Sequence, residues 1–381
     1  MAKKRSSDAY GKLVRILIVL FVLAVICGAG YILLDQSIKT QEAENAARAQ
    51  QENAALEENY RQAKAEEAAQ AAQQAEELQW PTPKAEGWDV LDLSTYPLTN
   101  TRTYTATRQE LITSGMLLVN RWHKVPDDLA SAEFLGVHAT DKSIATANSN
   151  VRLLAPAIDA LGKALADAKT AGLEHYNVEE GYRLRETQQQ LFDTEAAKYA
   201  ESFSGDSLIA KVVSEGYSEP GTSEYESGLA FRMGRYAKGD DIMNYKFHEL
   251  PQSDWLLEHS WEYGIIFRFP VQGYPNSTVT DKSYKTGQSA KLSIYRYVGQ
   301  PNAAVMHIMN FCMEEYIEYL IAHPHIAVYQ DGQLKYEIMR IEDYSGGDAT
   351  VNVSRAARDV SVSVDNMDGQ GLGGLIVAMS Y

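Results

Sequence analysis

Ile16–Leu34 (ILIVLFVLAVICGAGYILL) is an uncharged apolar run, and no other stretch limits so sharply what the chain can become. It has the length of one membrane-crossing helix, about 20 residues. Lys3, Lys4, Arg5, Lys12 and Arg15 precede it and Asp35 follows. The positive-inside bias therefore predicts a basic cytoplasmic tail at 1–15, one transmembrane helix at 16–34, and a folded part outside the cytoplasm. A cleaved signal peptide and a lipoprotein are the alternatives. The run is long for a signal's apolar core, and Ile26 precedes Cys27 where a lipoprotein signal wants a small residue. The reading is an uncleaved, single-pass anchor in the cell membrane.

Residues 36–79 are dominated by Ala, Glu and Gln and contain neither Gly nor Pro, the composition of a long solvent-exposed helix. Fully helical, this stalk reaches about 65 Å at 1.5 Å per residue. Its large apolar residues, Ile38, Leu56, Tyr60 and Leu78, are too sparse for a strong heptad seam, so a plain stalk is expected, with a homodimeric coiled coil as the alternative. Pro81 and Pro83 end the helix, and the Thr, Pro and Asp content over 80–108 reads as a linker. The formal charge of −16, with no long basic run beyond the first fifteen residues, excludes nucleic acid as a partner. Cys27 lies in the apolar run, so Cys312 is expected to pack as a small apolar side chain and not as half of a disulfide.

From Gln109 the texture changes. MLLVNRWHKVPDDL (116–129) is an apolar run broken by polar residues, and 150–172 carries Leu153, Leu154, Ile158, Leu161, Leu165 and Ala168 at helical spacing, stopped by Gly172. EEGYRLRETQQQLFD (179–193) reads as a turn-like entry into a second helix. EPGTSEYESGLAFRM (219–233) holds the spacing Ser-x-Tyr-x-x-Gly-x-Ala-x-Arg on Ser223, Tyr225, Gly228, Ala230 and Arg232. DWLLEHSWEYGIIFRFP (254–270) reads as helix, Tyr-Gly and strand, KLSIYRYVG (291–299) follows, and a helix is expected over about 302–322.

Taken together, these segments resemble the VanY-type D-alanyl-D-alanine carboxypeptidases, zinc enzymes of peptidoglycan. The resemblance covers about 110–325, giving a domain at 109–325. It implies an α+β fold of the DD-peptidase and hedgehog-like zinc-peptidase kind, with helices on an antiparallel sheet. In that family the zinc segment reads Ser-x-His-x-x-Gly-x-Ala-x-Asp, and the last stretch reads Glu-Pro-Trp-His-x-Arg-Tyr-Val-Gly. Tyr225 therefore stands for the first His ligand, Arg232 for the Asp, Ile294 for the second His and Lys291 for the general base. Gly181, Tyr182, Arg183 and Gln188 match the family, whereas Leu184 replaces its usual Ser.

A zinc site needs about three nitrogen or carboxylate ligands and an open position for water. Ile294 supplies nothing, Arg232 brings a fixed positive charge, and Tyr225 binds only as a phenolate. Lys291 cannot stand in for the carboxylate that activates water unless its pKa falls by several units. The expectation is no zinc, no cofactor and no catalytic residue. Arg183, the family's holder of the substrate carboxylate, remains with Gln188, Ser223, Arg232 and Lys291 as expected substrate-binding residues. An ion pair of Arg232 and Lys291 with Glu224, Glu226 or another acid is the structural alternative.

After Pro324, two alternating runs joined at Asp331-Gly332 predict a hairpin. With the strands that follow, they make a small β module at 326–381, packed on the main domain. Asp365 and Asp368 lack the spacing of a calcium loop, and His323-x-His325 points its rings to opposite sides if extended. The chain is thus expected to be a membrane-anchored cell-wall protein, inactive as a carboxypeptidase, that binds peptidoglycan stem peptides or a wall partner. Two rivals stand: an active metallocarboxypeptidase with a non-standard site, and a structural partner of wall, division or sporulation machinery.

Overall fold

The computed structural model describes residues 40–41, 44–45, 47–66, 81–236, 245–288 and 291–381. The tail at 1–15 and the apolar run at 16–34, expected to span a membrane, lie outside the described residues. Among the described residues no helix is long and apolar enough to cross a membrane.

Two antiparallel sheets carry the molecule. The first has four strands in the order Tyr176–Glu180, Ala230–Arg235, Ile294–Tyr297, Ile265–Phe267. The helix Ala155–Thr170 packs beside it, burying Ala157, Ile158, Leu161, Leu165 and Ala168 into one core with Val178, Phe231, Met233 and Tyr295. That is the stripe the spacing predicts, and the chain turns away at Gly172, which takes φ +85.

The second sheet has five strands in the order Trp88–Asp92, His325–Gln330, Gln333–Tyr344, Gly373–Ser380, Asp359–Val364. Its hairpin turns at Asp331 (φ 51) and Gly332 (φ 74), as the Asp-Gly pair predicts. This β structure packs on the rest of the domain, as expected, and shares a core with it. Met116 and Leu118, the helices Gln300–Met309 and Met313–Ala322, and Ile326, Val328, Ile338 and Ile376 of the sheet share one core.

Two expectations are corrected here. The stretch read as a linker contains two strands: Trp88–Asp92 on the edge of the second sheet, and Thr101–Ala106 paired with Ala349–Ser354. Alternating β-branched Thr residues suit a strand as well as a loop, and the partners that decide the matter lie far along the chain. The single helix expected over 302–322 is two, broken where Asn310 takes a left-handed φ of 56 and restarted by a Cys312–Glu315 capping pair.

Within the stalk, residues 47–66 are helical, but the helix does not stand free. Tyr60 is only 6% exposed, Glu52 pairs with Lys285 at 2.9 Å, and the Arg48 guanidinium lies 4.2 Å over the Tyr284 ring. Of the four apolar residues a dimer seam would use, Tyr60 is buried and Leu56 half-buried, and Ile38 and Leu78 lie outside the described residues. Two expectations hold: Cys312 is a free, buried thiol, and His325 and His323 reach different partners, Glu337 and Asp92.

Candidate functional site

The residues singled out in the sequence meet where the first sheet faces the Glu219–Gly228 segment. Arg232 lies on the Ala230–Arg235 strand between Glu180 on one neighbouring strand and Ile294 on the other, as their direct cross-strand partner. Opposed residues of an antiparallel pair project to the same face. The register therefore gathers Glu180, Arg232 and Ile294 on one surface, and Tyr225 comes to it from the short 3-10 turn Glu224–Ser227. Gly228 ends that turn at φ +68, and a Cβ there would lie 2.3 Å from the Phe134 ring. Only glycine fits, so the frame is retained for packing whatever the chemistry beside it.

Tyr225, Phe269 and Ile294 form a small apolar cluster, 7%, 2% and 3% exposed. The cavity left beside them measures about 10 Å³ and is also lined by Asn120, Ser218, Ser223, Gln288 and Lys291. That is at the lower limit of the space one water needs. Burial holds the Tyr225 phenol well above its ordinary pKa, with Glu180 adding to the effect. Arg232 is paired with Glu179 at 3.1 Å. Zinc takes nitrogen, thiolate or carboxylate donors; a phenol, a guanidinium bound to an acid and a branched alkyl group do not fit it. Among the described residues no three His, Cys, Asp or Glu side chains are placed to hold a metal.

The expected substrate-binding residues divide. Arg183 donates to Glu180 and to the Gln188 amide oxygen at 2.5 Å, and lies 4.6 Å over the Tyr225 ring. Gln188 spends its other end on the Ser218 carbonyl at 2.6 Å. Ser223 caps the 3-10 turn and is buried. Lys291 is different: among the described residues no carboxylate lies within ion-pair distance of it. Burial, then the charge of Arg183, lowers its ammonium pKa to about 8. The alternative ion pair with an acid holds for Arg232, whose partner is Glu179, and among the described residues not for Lys291; neither pairs with Glu224 or Glu226. Arg232 and Arg183 take Glu179 and Glu180, and Glu226 takes Arg185 at 3.3 Å.

Glu224 serves a network that the sequence did not disclose. One carboxylate oxygen accepts from Arg268 and the other from Arg296, both arginines fully buried. Arg268 also makes a two-pronged contact with Glu314 at 2.7 and 3.0 Å, Asn120 adds a bond to Glu314 at 3.0 Å, and Arg296 donates to the Gly115 and Leu117 carbonyls. Burial alone would raise the Glu314 carboxyl; Arg268 and Asn120 outweigh it and hold it low. Two arginines and two glutamates thus tie the motif turn to the Ile294–Tyr297 strand, to the residue that follows the Ile265–Phe267 strand and to the Met313–Ala322 helix. The signal was available as Arg268 and Arg296 inside apolar strand patterns, but nothing in those patterns names the partners.

The family model for VanY, D-alanyl-D-alanine carboxypeptidase, matches residues 150–285. The chain carries a VanY-family domain. It is 27% identical over 273 residues to a D-alanyl-D-alanine carboxypeptidase of Enterococcus faecium, covering 71% of this chain and 78% of the relative. It is 33% identical over 158 residues to another from Enterococcus faecalis, covering 40% of this chain and 51% of that one. The solved D,D-dipeptidase VanXYg, in complex with a D-Ala-D-Ala phosphinate analogue, shares its fold with a TM-score of 0.55 at 19% identity, covering 74% of this chain and 99% of that structure. The VanY match ends before Lys291 and Ile294. Strand pairing between Arg232 and Ile294 is what brings these two to the VanY frame.

Proposed function

We propose that this protein is a non-hydrolytic VanY-family protein of the cell wall, anchored to the membrane by Ile16–Leu34, whose closed cleft takes the carboxylate end of peptidoglycan stem peptides. The observation that carries the reading is the apolar plug of Tyr225, Phe269 and Ile294 at the positions matching the metal site, flanked by cations. Arg183, Arg232 and Lys291 face Glu179 and Glu180, which leaves one positive charge over, and Lys291 is the group without a carboxylate partner. An incoming carboxylate completes that balance through charge-assisted hydrogen bonds worth about 1.5–3 kcal/mol each. With no donor set for zinc among the described residues, and with Glu179 and Glu180 each held by an arginine, the bound peptide is held and not cut.

The test is calorimetric titration with a D-Ala-terminated stem peptide, next to an assay for released D-alanine and elemental analysis of the purified chain. Binding that weakens by roughly ten- to a hundredfold in Lys291→Met and with rising salt, without D-alanine release and without stoichiometric zinc, is expected. Zinc-dependent turnover would establish the active rival instead. A second reading, a structural partner of wall machinery, is favoured by the small cavity and by the Arg183–Glu180 and Arg232–Glu179 pairs. Absence of binding at millimolar peptide would decide for it.

A further inference from the structure

The helix over residues 47–66 places Ala49, Glu52, Asn53, Leu56 and Tyr60 on its less exposed side, the spacing of one helical face. Its polar contacts with the domain go to one short segment, residues 281–288. Arg48 covers the Tyr284 ring, the Tyr284 hydroxyl lies 3.5 Å from Glu52, and Glu52 meets Lys285 at 2.9 Å. Lys285 is itself buried and reaches Glu318 at 2.5 Å on the Met313–Ala322 helix. The segment is therefore gripped from two sides. At its far end Gln288, also buried, donates to the Ser218 hydroxyl at 2.9 Å, and both residues line the closed cavity beside Lys291.

A second, larger cavity of about 240 Å³ lies between the helix and the domain. Asn53 forms one of its walls, and Asn120 lines both this space and the closed cavity. The grip on the helix is modest: one ion pair with a partly exposed glutamate and one cation–ring contact. Against these, the Tyr60 hydroxyl is buried with no protein partner. Contacts of that size belong to the part of a fold that opens locally without global unfolding.

We propose that the 47–66 helix is an intramolecular clamp that pins the 281–288 segment and through Gln288 keeps the carboxylate cleft shut, and that its release frees both. The peptide arm of the test rests on the stem-peptide reading above; the clamp itself does not. Hydrogen exchange followed by mass spectrometry on the full chain compares wild type with Glu52→Lys, which sets two ammonium groups against each other, and with Tyr60→Phe, which removes the unpartnered hydroxyl. Glu52→Lys is expected to raise exchange about tenfold in both 47–66 and 281–288, leaving the strands of the first sheet unchanged. Tyr60→Phe is expected to slow exchange in the same two segments. Faster exchange in the helix with 281–288 unchanged, or no change in either, overturns the clamp. In the peptide arm, Glu52→Lys is expected to bind a D-Ala-terminated peptide several-fold more tightly than wild type. Coupled exchange with no peptide binding by any variant leaves the clamp standing and overturns the stem-peptide reading.

Discussion

Glu224 sits between two fully buried guanidinium groups and shares the compensation of Arg268 with Glu314. Glu224→Gln removes that charge and leaves the buried Arg296 without its carboxylate. The expected loss is about 3–5 kcal/mol, read from urea unfolding at neutral pH, without change in the far-UV spectrum of what remains folded. Lys291 gives the opposite sign. Its folded pKa is near 8, whereas the unfolded chain has the ordinary 10.5. Between these values the unfolded state holds a proton that the folded state has shed, so the group adds stability as pH rises through that window and costs it below. Lys291→Met is expected to exceed wild type in stability at pH 7, with the gap closing between about pH 8 and 10.5. The sequence disclosed that Tyr225, Arg232, Ile294 and Lys291 had replaced the family's site residues, because the frame around them is intact. It could not disclose who neutralises whom: Arg183 finds Glu180 three residues back, but Arg232 finds Glu179 only through strand pairing.

Elements whose signal is local were legible. The helix Ala155–Thr170 follows from its apolar stripe, and the hairpin at Asp331-Gly332 from a dipeptide that tolerates two positive φ values. Gly332→Val forces a branched side chain into the left-handed region and is expected to destabilise by about 1–2 kcal/mol, measured as a lower denaturation midpoint with an unchanged slope. Elements defined by distant partners were not legible. Trp88–Asp92 pairs with His325–Gln330, and Thr101–Ala106 with Ala349–Ser354. Without those partners in view, a short Thr- and Pro-rich stretch has the composition of a loop. The docked face of the 47–66 helix was missed for a similar reason: its contacts depend on Lys285 and Tyr284, and one buried Tyr in an Ala-rich helix makes no stripe.

For the whole molecule, the boundary that the sequence suggested at Gln109 cuts through the second sheet. A chain beginning there lacks Trp88–Asp92 and leaves the His325–Gln330 strand as an unpaired edge, a template for intermolecular pairing. Size-exclusion chromatography is expected to show aggregation for that chain and a single species for one beginning at Pro81. The same edge strand has a mechanical meaning. Trp88–Asp92 is the first strand of the folded domain, laddered residue by residue from Trp88 against Gln330 to Asp92 against Ile326. Tension arriving along the chain from its N-terminal side meets the docked 47–66 helix first and this ladder next. The strands of the first sheet are insulated from the pull for as long as the five pairs hold.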